Sequence, residues 1–425
     1  MMTVSRPVGL SRRARCIPGG AAIMAHEESS QDLSPGFRRQ MKIYELGLGG
    51  MTPSTPVSPD ELDHKAKTVL PKEAYDYLAG GAGGEDTMRA NREAFRRWRI
   101  VPRYLRNVDR RDLTVEILGH RLPAPVLLAP IGVQSILHKH AELAVARAAS
   151  SLGFPMVLST VSSETMEDVA KEMGDCPRWF QLYWPRRDDL TASFLQRAEA
   201  SHYSALVVTL DTFLLSWRER DIQNAYLPFL KGEGLANYTS DPVFAKTVGS
   251  PKLHPIKTLE YFGKVFSDPS RTWADLAKLR AMTRLPIVVK GALHPDDARK
   301  AVDHGASAVI VSNHGGRQLD GAIGALDALP GVVEAVGDKT TVLFDSGIRR
   351  GADVFKAMAL GAKAVLLGRP YCFGLAVNGE AGVKDVLENL LADIDLTLGL
   401  AGCVSWSEVG RSHLVKTPDG AASDV

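Results

Sequence analysis

Short apolar runs alternate with helical patterns along most of the chain. The runs are rich in β-branched and aliphatic residues and are bounded by turn-forming positions, which is typical of buried strands. The predicted strands cover residues 125–130, 156–160, 179–183, 205–211, 287–290, 308–313, 341–345 and 364–367. Predicted helices between and after them cover residues 141–152, 164–173, 188–200, 295–304, 353–360 and a segment after residue 379. Eight strand-plus-helix units predict an α/β fold in which a parallel sheet closes into a (β/α)8 TIM barrel.

Two further helical patterns precede the first predicted strand. One opens at Pro71 and ends at Gly80, the usual placement of proline and glycine at helix ends, and the other covers residues 87–98. We expect these helices to form an N-terminal cap on the barrel. Residues 1–40, before them, are predicted to be flexible.

A long interruption follows the fourth predicted strand. Residues 212–271 contain many prolines and glycines, and a loop of this length is usually functional or disordered. Because it leaves from the end of a barrel strand, we expect this insertion to be a lid over a pocket there. Plain disorder is the alternative.

Length and composition limit the remaining possibilities. A chain of 425 residues allows several domains, but barrels are long single domains, so we expect one domain at 41–410 and a C-terminal tail at 411–425. The net charge of +2, with both signs interspersed, excludes a general nucleic-acid binder. No apolar run approaches the roughly 20 residues that cross a bilayer. The four cysteines form no CxxC pair, so we expect a soluble cytoplasmic protein without a metal site.

A polar motif follows the sixth predicted strand. Residues 312–318 read Ser-Asn-His-Gly-Gly-Arg-Gln, so His314 and Arg317 leave the strand together. An imidazole can take a proton, and a guanidinium can hold a carboxylate through two hydrogen bonds. The motif therefore predicts deprotonation of a small bound acid. A turn with a capping histidine and a solvated arginine is the alternative.

Other polar residues lie at the ends of the predicted strands. Because parallel barrel strands end at one rim, we expect these residues to meet the motif there. They are Ser159, Gln181, Tyr183, Thr209, Asp211, Arg218, Lys290 and Asp345. Asp211 is suited to raise the basicity of His314, although capping the following segment is its alternative role. Arg218 has a surface ion pair with Glu219 or Asp221 as its alternative.

The last two predicted strands end in glycine- and arginine-containing loops, at residues 345–351 and 367–369. Barrels commonly hold a phosphate at this position, on backbone amides and helix N-termini. The loops predict a phosphorylated cofactor, with ordinary turns as the alternative. Lys290 is suited to stabilise negative charge on the cofactor ring; a Schiff-base lysine is the chemical alternative.

From about Tyr75 to Gly402 the chain resembles the FMN-dependent 2-hydroxy acid dehydrogenases and oxidases, whose signature is the 312–318 motif. The resemblance implies FMN as cofactor and His314 as the base, supported by Asp211. It also implies that Arg218 and Arg317 bind the substrate carboxylate. The remaining residues implied to contact substrate or FMN are Tyr77, Tyr183, Pro130, Ile131, Gly132, Ser159, Gln181, Thr209, Lys290, Ser312, Asp345, Ser346, Gly347, Arg349, Gly368 and Arg369.

Within that family, residues 88–103, 177–186 and 217–238 resemble the lactate 2-monooxygenase branch. Gly132 stands where the oxidases usually have alanine, which implies extra space beside the ring and slow release of the keto acid. The resemblance thus implies oxidation of L-lactate by O2, with decarboxylation of the retained pyruvate to acetate, CO2 and water. It also implies a homo-oligomer of four or eight copies. Phe213 and Ser216 depart from the expected proline and glycine.

Three alternatives to the monooxygenase stay open from the sequence. The first is an oxidase that releases keto acid and hydrogen peroxide. The second is a dehydrogenase that passes electrons to a quinone or cytochrome, although no haem-attachment motif supports it. The third is a flavin-binding protein without turnover.

Overall fold

A computed structural model describes residues 34–417. Four helices come first, α1 (Pro35–Leu48), α2 (Pro59–Val69), α3 (Lys72–Ala79) and α4 (Asp86–Arg96). The predicted boundaries at Pro71 and Gly80 are confirmed, because these two residues cap α3. The prediction of a flexible segment up to residue 40 is wrong for residues 35–40, which belong to α1. Residues 1–33 lie outside the described part of the chain.

Three short strands lead from α4 to the barrel. They are β1 (Trp98–Ile100), β2 (Val115–Ile117) and β3 (His120–Leu122). β2 and β3 form an antiparallel hairpin. None of the three was predicted, and Trp98, predicted to end a helix, begins β1.

The eight predicted barrel strands are confirmed. They are β4 (Val126–Leu128), β5 (Met156–Ser159), β6 (Arg178–Leu182), β7 (Ala205–Thr209), β8 (Ile287–Lys290), β9 (Ala308–Val311), β10 (Thr341–Phe344) and β11 (Ala364–Leu367). They pair in parallel in the closed order β10-β11-β4-β5-β6-β7-β8-β9. Nearly every residue in them is buried, because one face fills the barrel interior and the other lies under helices.

The remaining helices follow the predicted alternation, with additions. They are α5 (Ala141–Ser151), α6 (Met166–Met173), α7 (Asp188–Ala200), α8 (Glu219–Gln223), α9 (Ala236–Thr239), α10 (Pro242–Val248), α11 (Pro255–Val265), α12 (Trp273–Met282), α13 (Pro295–Asp303), α14 (Ala325–Val336), α15 (Gly351–Ala359) and α16 (Arg369–Leu400). α16 begins eleven residues before the predicted start and is interrupted at Asn378 and Gly379, whose backbone is not helical. α14 was not predicted.

The insertion is folded rather than a plain loop or disordered segment. Residues 212–271 contain α8 to α11 and a 3-10 turn at Pro228–Lys231. Aromatic side chains hold these pieces together: Tyr238 is fully buried, and its ring centroid lies 4.9 Å from that of Phe262 and 5.6 Å from that of Phe244. The insertion therefore has a small core of its own.

The end of the described chain returns to its start. β12 (Leu414–Lys416) pairs antiparallel with β1, so the predicted C-terminal tail is wrong for residues 414–416. No helix within residues 34–417 is long and apolar enough to cross a membrane.

One buried carboxylate fastens α1 to the barrel. Asp395 on α16 is 1% exposed. It accepts hydrogen bonds from Arg111 Nε at 2.7 Å and from the Gly36 amide at 2.9 Å. Removing one member of a buried ion pair leaves an uncompensated charge, which costs about 3–5 kcal/mol. We therefore expect Asp395→Ala to lower the free energy of unfolding by about that amount, measured by urea denaturation of the FMN-loaded protein.

The matched control is Asp296→Ala. Asp296 pairs with Arg299 on the surface, where both side chains are more than half exposed, and such pairs are worth about 0–1 kcal/mol. Equal losses of stability in the two variants would contradict the role given to Asp395.

Candidate active site

One pocket opens at the carboxyl ends of the barrel strands, where the sequence placed it. Of the residues predicted to act there, those that line it are Tyr77, Pro130, Ile131, Gly132, Tyr183, Arg218, Lys290, His314, Arg317, Asp345, Ser346, Gly347, Arg349, Gly368 and Arg369. They come from eight different segments of the chain. The barrel therefore brings together polar groups that are far apart in sequence.

His314 and Asp211 form a close pair at this mouth. His314 Nδ1 lies 2.8 Å from Asp211 Oδ1 and 3.3 Å from Thr212 Oγ1. The backbone of His314 is left-handed, at φ +58°, as is that of Gly315 at φ +65°. This unusual turn is the reason that the ring points back toward the end of β7 instead of continuing the strand direction. The predicted His–Asp contact is present, and the capping role of Asp211 is not seen.

Burial lowers the pKa of His314 more than Asp211 raises it, so the imidazole is neutral at pH 7. Burial would raise the pKa of Asp211, but His314 and Lys290 outweigh it and hold this pKa at about 2. An ionised Asp211 beside Nδ1 favours the tautomer that carries its proton there. Nε2 is then free to accept a proton.

Lys290 is buried at the end of β8. Its ammonium donates to Ser312 Oγ at 3.0 Å and lies 3.5 Å from Asp345 Oδ2. Burial disfavours its charge, but Asp345 and Asp211 outweigh burial and raise its pKa. A lysine held protonated is a poor nucleophile, so this environment argues against the Schiff-base alternative.

Two guanidinium groups flank the ring of Tyr77. The Cζ atoms of Arg317 and Arg218 lie 5.3 Å and 5.9 Å from its centroid. Burial, and then Arg218, lower the pKa of Arg317 to about 10, which leaves it charged. Arg218 is not a surface residue, because its side chain is only 12% exposed. Tyr183 lines the same part of the pocket, and burial raises its pKa.

A row of hydrogen-bonded side chains lies just below the pocket wall. Ser159 Oγ donates to Gln181 Oε1 at 3.1 Å, and Gln181 Nε2 donates to Thr209 Oγ1 at 2.9 Å. Thr209 is opposite Lys290 in the pairing of β7 with β8. These residues are together, as predicted, but they satisfy one another and do not themselves line the pocket.

Ser346 joins the loops after β9 and β10. Its hydroxyl donates to Asp345 Oδ1 at 2.7 Å and accepts hydrogen bonds from the amides of Gly315 at 3.0 Å and Asn313 at 3.3 Å. Its backbone is left-handed, at φ +83°, which is costly for a residue with a Cβ. The three hydrogen bonds hold it in this conformation.

The other end of the pocket has an excess of positive charge. Arg349 and Arg369 are partly buried, and neither has a carboxylate at ion-pair distance within residues 34–417. Burial, and then Arg92, lower the pKa of Arg349 to about 10. Gly368 gives α16 no side-chain cap, so the amides at this helix N-terminus are available to an anion. These residues fit the phosphate of FMN, which they would hold together with Gly347.

The space predicted beside Gly132 is absent. A Cβ at this position would lie 2.3 Å from the carbonyl oxygen of Val161 and 2.6 Å from its Cγ2. Gly132 therefore permits close contact between the loops after β4 and β5 and does not leave a methyl-sized gap. The expectation of an enlarged space is wrong because the Cβ direction points at backbone.

Several residues that line the pocket were not predicted from the sequence. Leu215, Leu227, Phe229 and Phe266 come from the insertion and form an apolar wall. The prolines and glycines of the insertion indicate only a long loop, whereas its aromatic residues are the signal that could have predicted the wall. These side chains cover part of the pocket mouth, so the insertion lies beside the pocket. No group of three or more metal-binding side chains occurs in the described chain.

This fold and site define a barrel oxidoreductase that uses a flavin. The family described as FMN-dependent dehydrogenase matches residues 66–416, and the chain belongs to that family; FMN is its cofactor. It is 45% identical to an FMN-dependent alpha-hydroxy acid dehydrogenase of Penicillium citrinum, covering 88% of this chain and 94% of the relative. It is 40% identical to an L-lactate oxidase of Lysinibacillus sphaericus, covering 85% and 93%.

Comparison with solved structures supports the same family. A crystal structure of mandelate oxidase matches with a TM-score of 0.76 and 39% identity, covering 85% of this chain and 99% of that one. The predicted family is confirmed. The relatives named above are oxidases or a dehydrogenase, so the monooxygenase branch stays a prediction.

Proposed function

We propose that this enzyme oxidises small L-2-hydroxy acids, with L-lactate as the substrate and O2 as the electron acceptor. The observation that carries the proposal is the His314–Asp211 pair facing the same pocket as two partly buried arginines, Arg218 and Arg317. A base and two carboxylate-binding groups are what a 2-hydroxy acid requires for binding and deprotonation. Two of the relatives, named L-lactate oxidase, support the choice of lactate.

In this proposal Arg218 and Arg317 bind the substrate carboxylate, and Tyr77 and Tyr183 orient the substrate. His314 accepts the hydroxyl proton at Nε2, and ionised Asp211 stabilises the imidazolium that forms. When bound, FMN would supply the acceptor for the α-hydrogen, which leaves the α-carbon with its two electrons. Lys290 keeps a positive charge at the end of β8, where it stabilises negative charge that develops at the cofactor site.

The finer proposal is lactate 2-monooxygenase activity. Lactate and O2 give pyruvate and hydrogen peroxide; if pyruvate is retained, the peroxide attacks its carbonyl and yields acetate, CO2 and water. Retention is supported by contacts that hold the insertion over the site. Glu233 accepts a hydrogen bond from Ser135, and Asn237 Nδ2 donates to the Thr160 carbonyl at 3.2 Å.

The second candidate is an oxidase that releases pyruvate and hydrogen peroxide. The oxidase names of the relatives favour it. Quantifying acetate, pyruvate and peroxide made from L-lactate under oxygen separates the two. Acetate in near-stoichiometric yield supports the monooxygenase, and pyruvate with equimolar peroxide supports the oxidase. Absence of oxygen uptake with lactate would contradict both.

Substituting Gly132 is expected to move products from acetate towards pyruvate and peroxide. The new methyl of Gly132→Ala would collide with the carbonyl oxygen of Val161. The same oxygen is close to the insertion, because it would lie 2.9 Å from a Cβ at Gly234. Displacing Val161 therefore loosens the insertion and shortens pyruvate retention. The product ratio measures this, with Gly263→Ala on α11 as control, because nothing lies within 4 Å of a Cβ there. An unchanged ratio would show that this position does not govern release.

We also propose that the enzyme is a homo-oligomer of four or eight copies in the cytoplasm. A reducing location is supported by three free cysteines, Cys176, Cys372 and Cys403, among the described residues. Exposed apolar side chains such as Leu214 and Trp217 support self-association. Light scattering of the purified FMN-loaded protein tests the oligomer size.

A further inference from the structure

Three basic side chains at the pocket mouth, His314, Lys290 and Arg218, each have a carboxylate neighbour. Asp211 is the partner of His314, and Asp345 is the partner of Lys290. The third carboxylate, Asp221, lies beside Arg218 and interacts electrostatically with Arg317, and it has no role in the reaction proposed above.

Asp221 lies on α8, three residues after Arg218, and is 9% exposed. Its Oδ2 lies 3.8 Å from Arg218 Nη1, and its side chain makes no hydrogen bond within residues 34–417. Arg220, the other nearby cation on α8, pairs instead with Glu85 at 2.7 Å and Asp76 at 3.8 Å. The charge of Asp221 therefore acts mainly on the two arginines that face the pocket.

The electrostatic surroundings of Asp221 agree with this geometry. Burial raises its pKa, and Arg317 and Arg218 are the first groups that counteract burial. In return, Asp221 is one of the groups that favour the charged form of Arg317. Asp221 is thus a counter-ion to the pair, but at a distance too long for a hydrogen bond.

We propose that Asp221 is a positioning residue whose negative charge weakens the hold of Arg218 and Arg317 on carboxylates, and so shortens the residence of the keto-acid product. This inference rests on the proposed function, in which those arginines bind the substrate carboxylate. A ligand carboxylate bound there comes close to a fixed like charge, which disfavours its binding. Substrate and product carry the same carboxylate, so Asp221 weakens the binding of both, and the product leaves the arginines sooner than it would without Asp221.

The test measures the dissociation constant of pyruvate for the oxidised, FMN-loaded protein, from the change in flavin absorbance at pH 8. Removing the charge in Asp221→Asn is expected to tighten pyruvate binding about tenfold, because one buried like charge is lost. Asp221→Ser removes the same charge and serves if the Asn variant does not fold. Asp221→Glu keeps the charge and is expected to bind pyruvate within about twofold of the original protein.

Two controls separate charge from structure. Glu219→Gln removes one charge from the exposed face of the same helix and should leave pyruvate binding unchanged. Lactamide, a neutral probe, should bind the Asp221→Asn variant as it binds the original protein, since only a carboxylate feels the missing charge. If Asp221 had only a structural role, its replacement would change the binding of pyruvate and of lactamide together.

Unchanged or weaker pyruvate binding in the charge-removing variants would overturn the inference, as would equal tightening of lactamide. Failure to bind pyruvate in the original protein would overturn it too. The proposed function fails separately: pyruvate binding that responds to Asp221 in a protein that does not oxidise lactate would reject the reaction and keep the inference.

Discussion

Replacing His314 with Gln is expected to slow anaerobic reduction of the flavin by L-lactate about 10²–10⁴-fold while FMN stays bound, since that is the usual contribution of a general base. A glutamine amide can donate its N–H to Asp211 and accept a hydrogen bond through its oxygen, but it cannot take a proton. The measurement is the rate at which lactate bleaches the flavin absorbance. Flavin content and the unfolding midpoint should match those of the original protein.

The pH dependence of that rate follows from the surroundings of His314. The base must be neutral, and burial lowers the pKa of this imidazole below its ordinary value of 6.5. Activity that depends on it is therefore present above that pKa and is lost as the pH falls through it, so the rate should be level from about pH 7 to 9. His64→Gln, at an exposed position on α2, is the matched control. A His314→Gln protein that reduces its flavin at the original rate would refute the assignment of the base.

Replacing Arg317 with Lys is expected to lower kcat/KM for lactate about 10²–10³-fold, mainly by raising KM. A lysine keeps the charge but loses the planar fork that binds a carboxylate through two hydrogen bonds. Truncating one partner of a buried charge pair costs about 2–5 kcal/mol, and about 1.4 kcal/mol is tenfold. Steady-state kinetics over a range of lactate concentrations measure the effect.

The surrounding fold should tolerate this change. Arg317 Nη1 donates to the Gly80 carbonyl at 2.7 Å, but Arg369 Nη2 donates to the same oxygen at 2.8 Å, so the carbonyl keeps a partner. Arg299→Lys, on the exposed surface of α13, controls for the substitution itself. A KM that stays within about twofold of the original value would remove Arg317 from carboxylate binding.

The barrel was predictable because its strands are local signals. Each strand is an apolar run buried on both faces, so the run itself shows where the strand lies, and every predicted strand end is within two residues of the observed one. The site was predictable from the same rule, since the ends of parallel strands meet at one rim. The start of α16 at Arg369 was missed because Gly368 to Gly379 contains several helix-weakening residues, and only packing of its buried face holds that segment helical.

Other errors arose where partners are distant in sequence. Asp395 holds α1, and β1 holds β12. Neither contact produces a recognisable pattern in the sequence around the residues that make it. The helices of the insertion are short and obtain their stability from an aromatic cluster that forms only when they meet.

The sequence by itself determined the positions of the eight strands, the order of the chemical groups at their ends and the family, because these depend on short-range periodicity and on a specific motif. Only the tertiary structure decided that a Cβ at Gly132 meets the Val161 carbonyl, that the insertion forms a wall, and that Asp221 lies beside Arg218 with little exposure to solvent. Each of these is a distance or direction between segments. Such quantities are set by how the elements pack, not by which residues the chain contains.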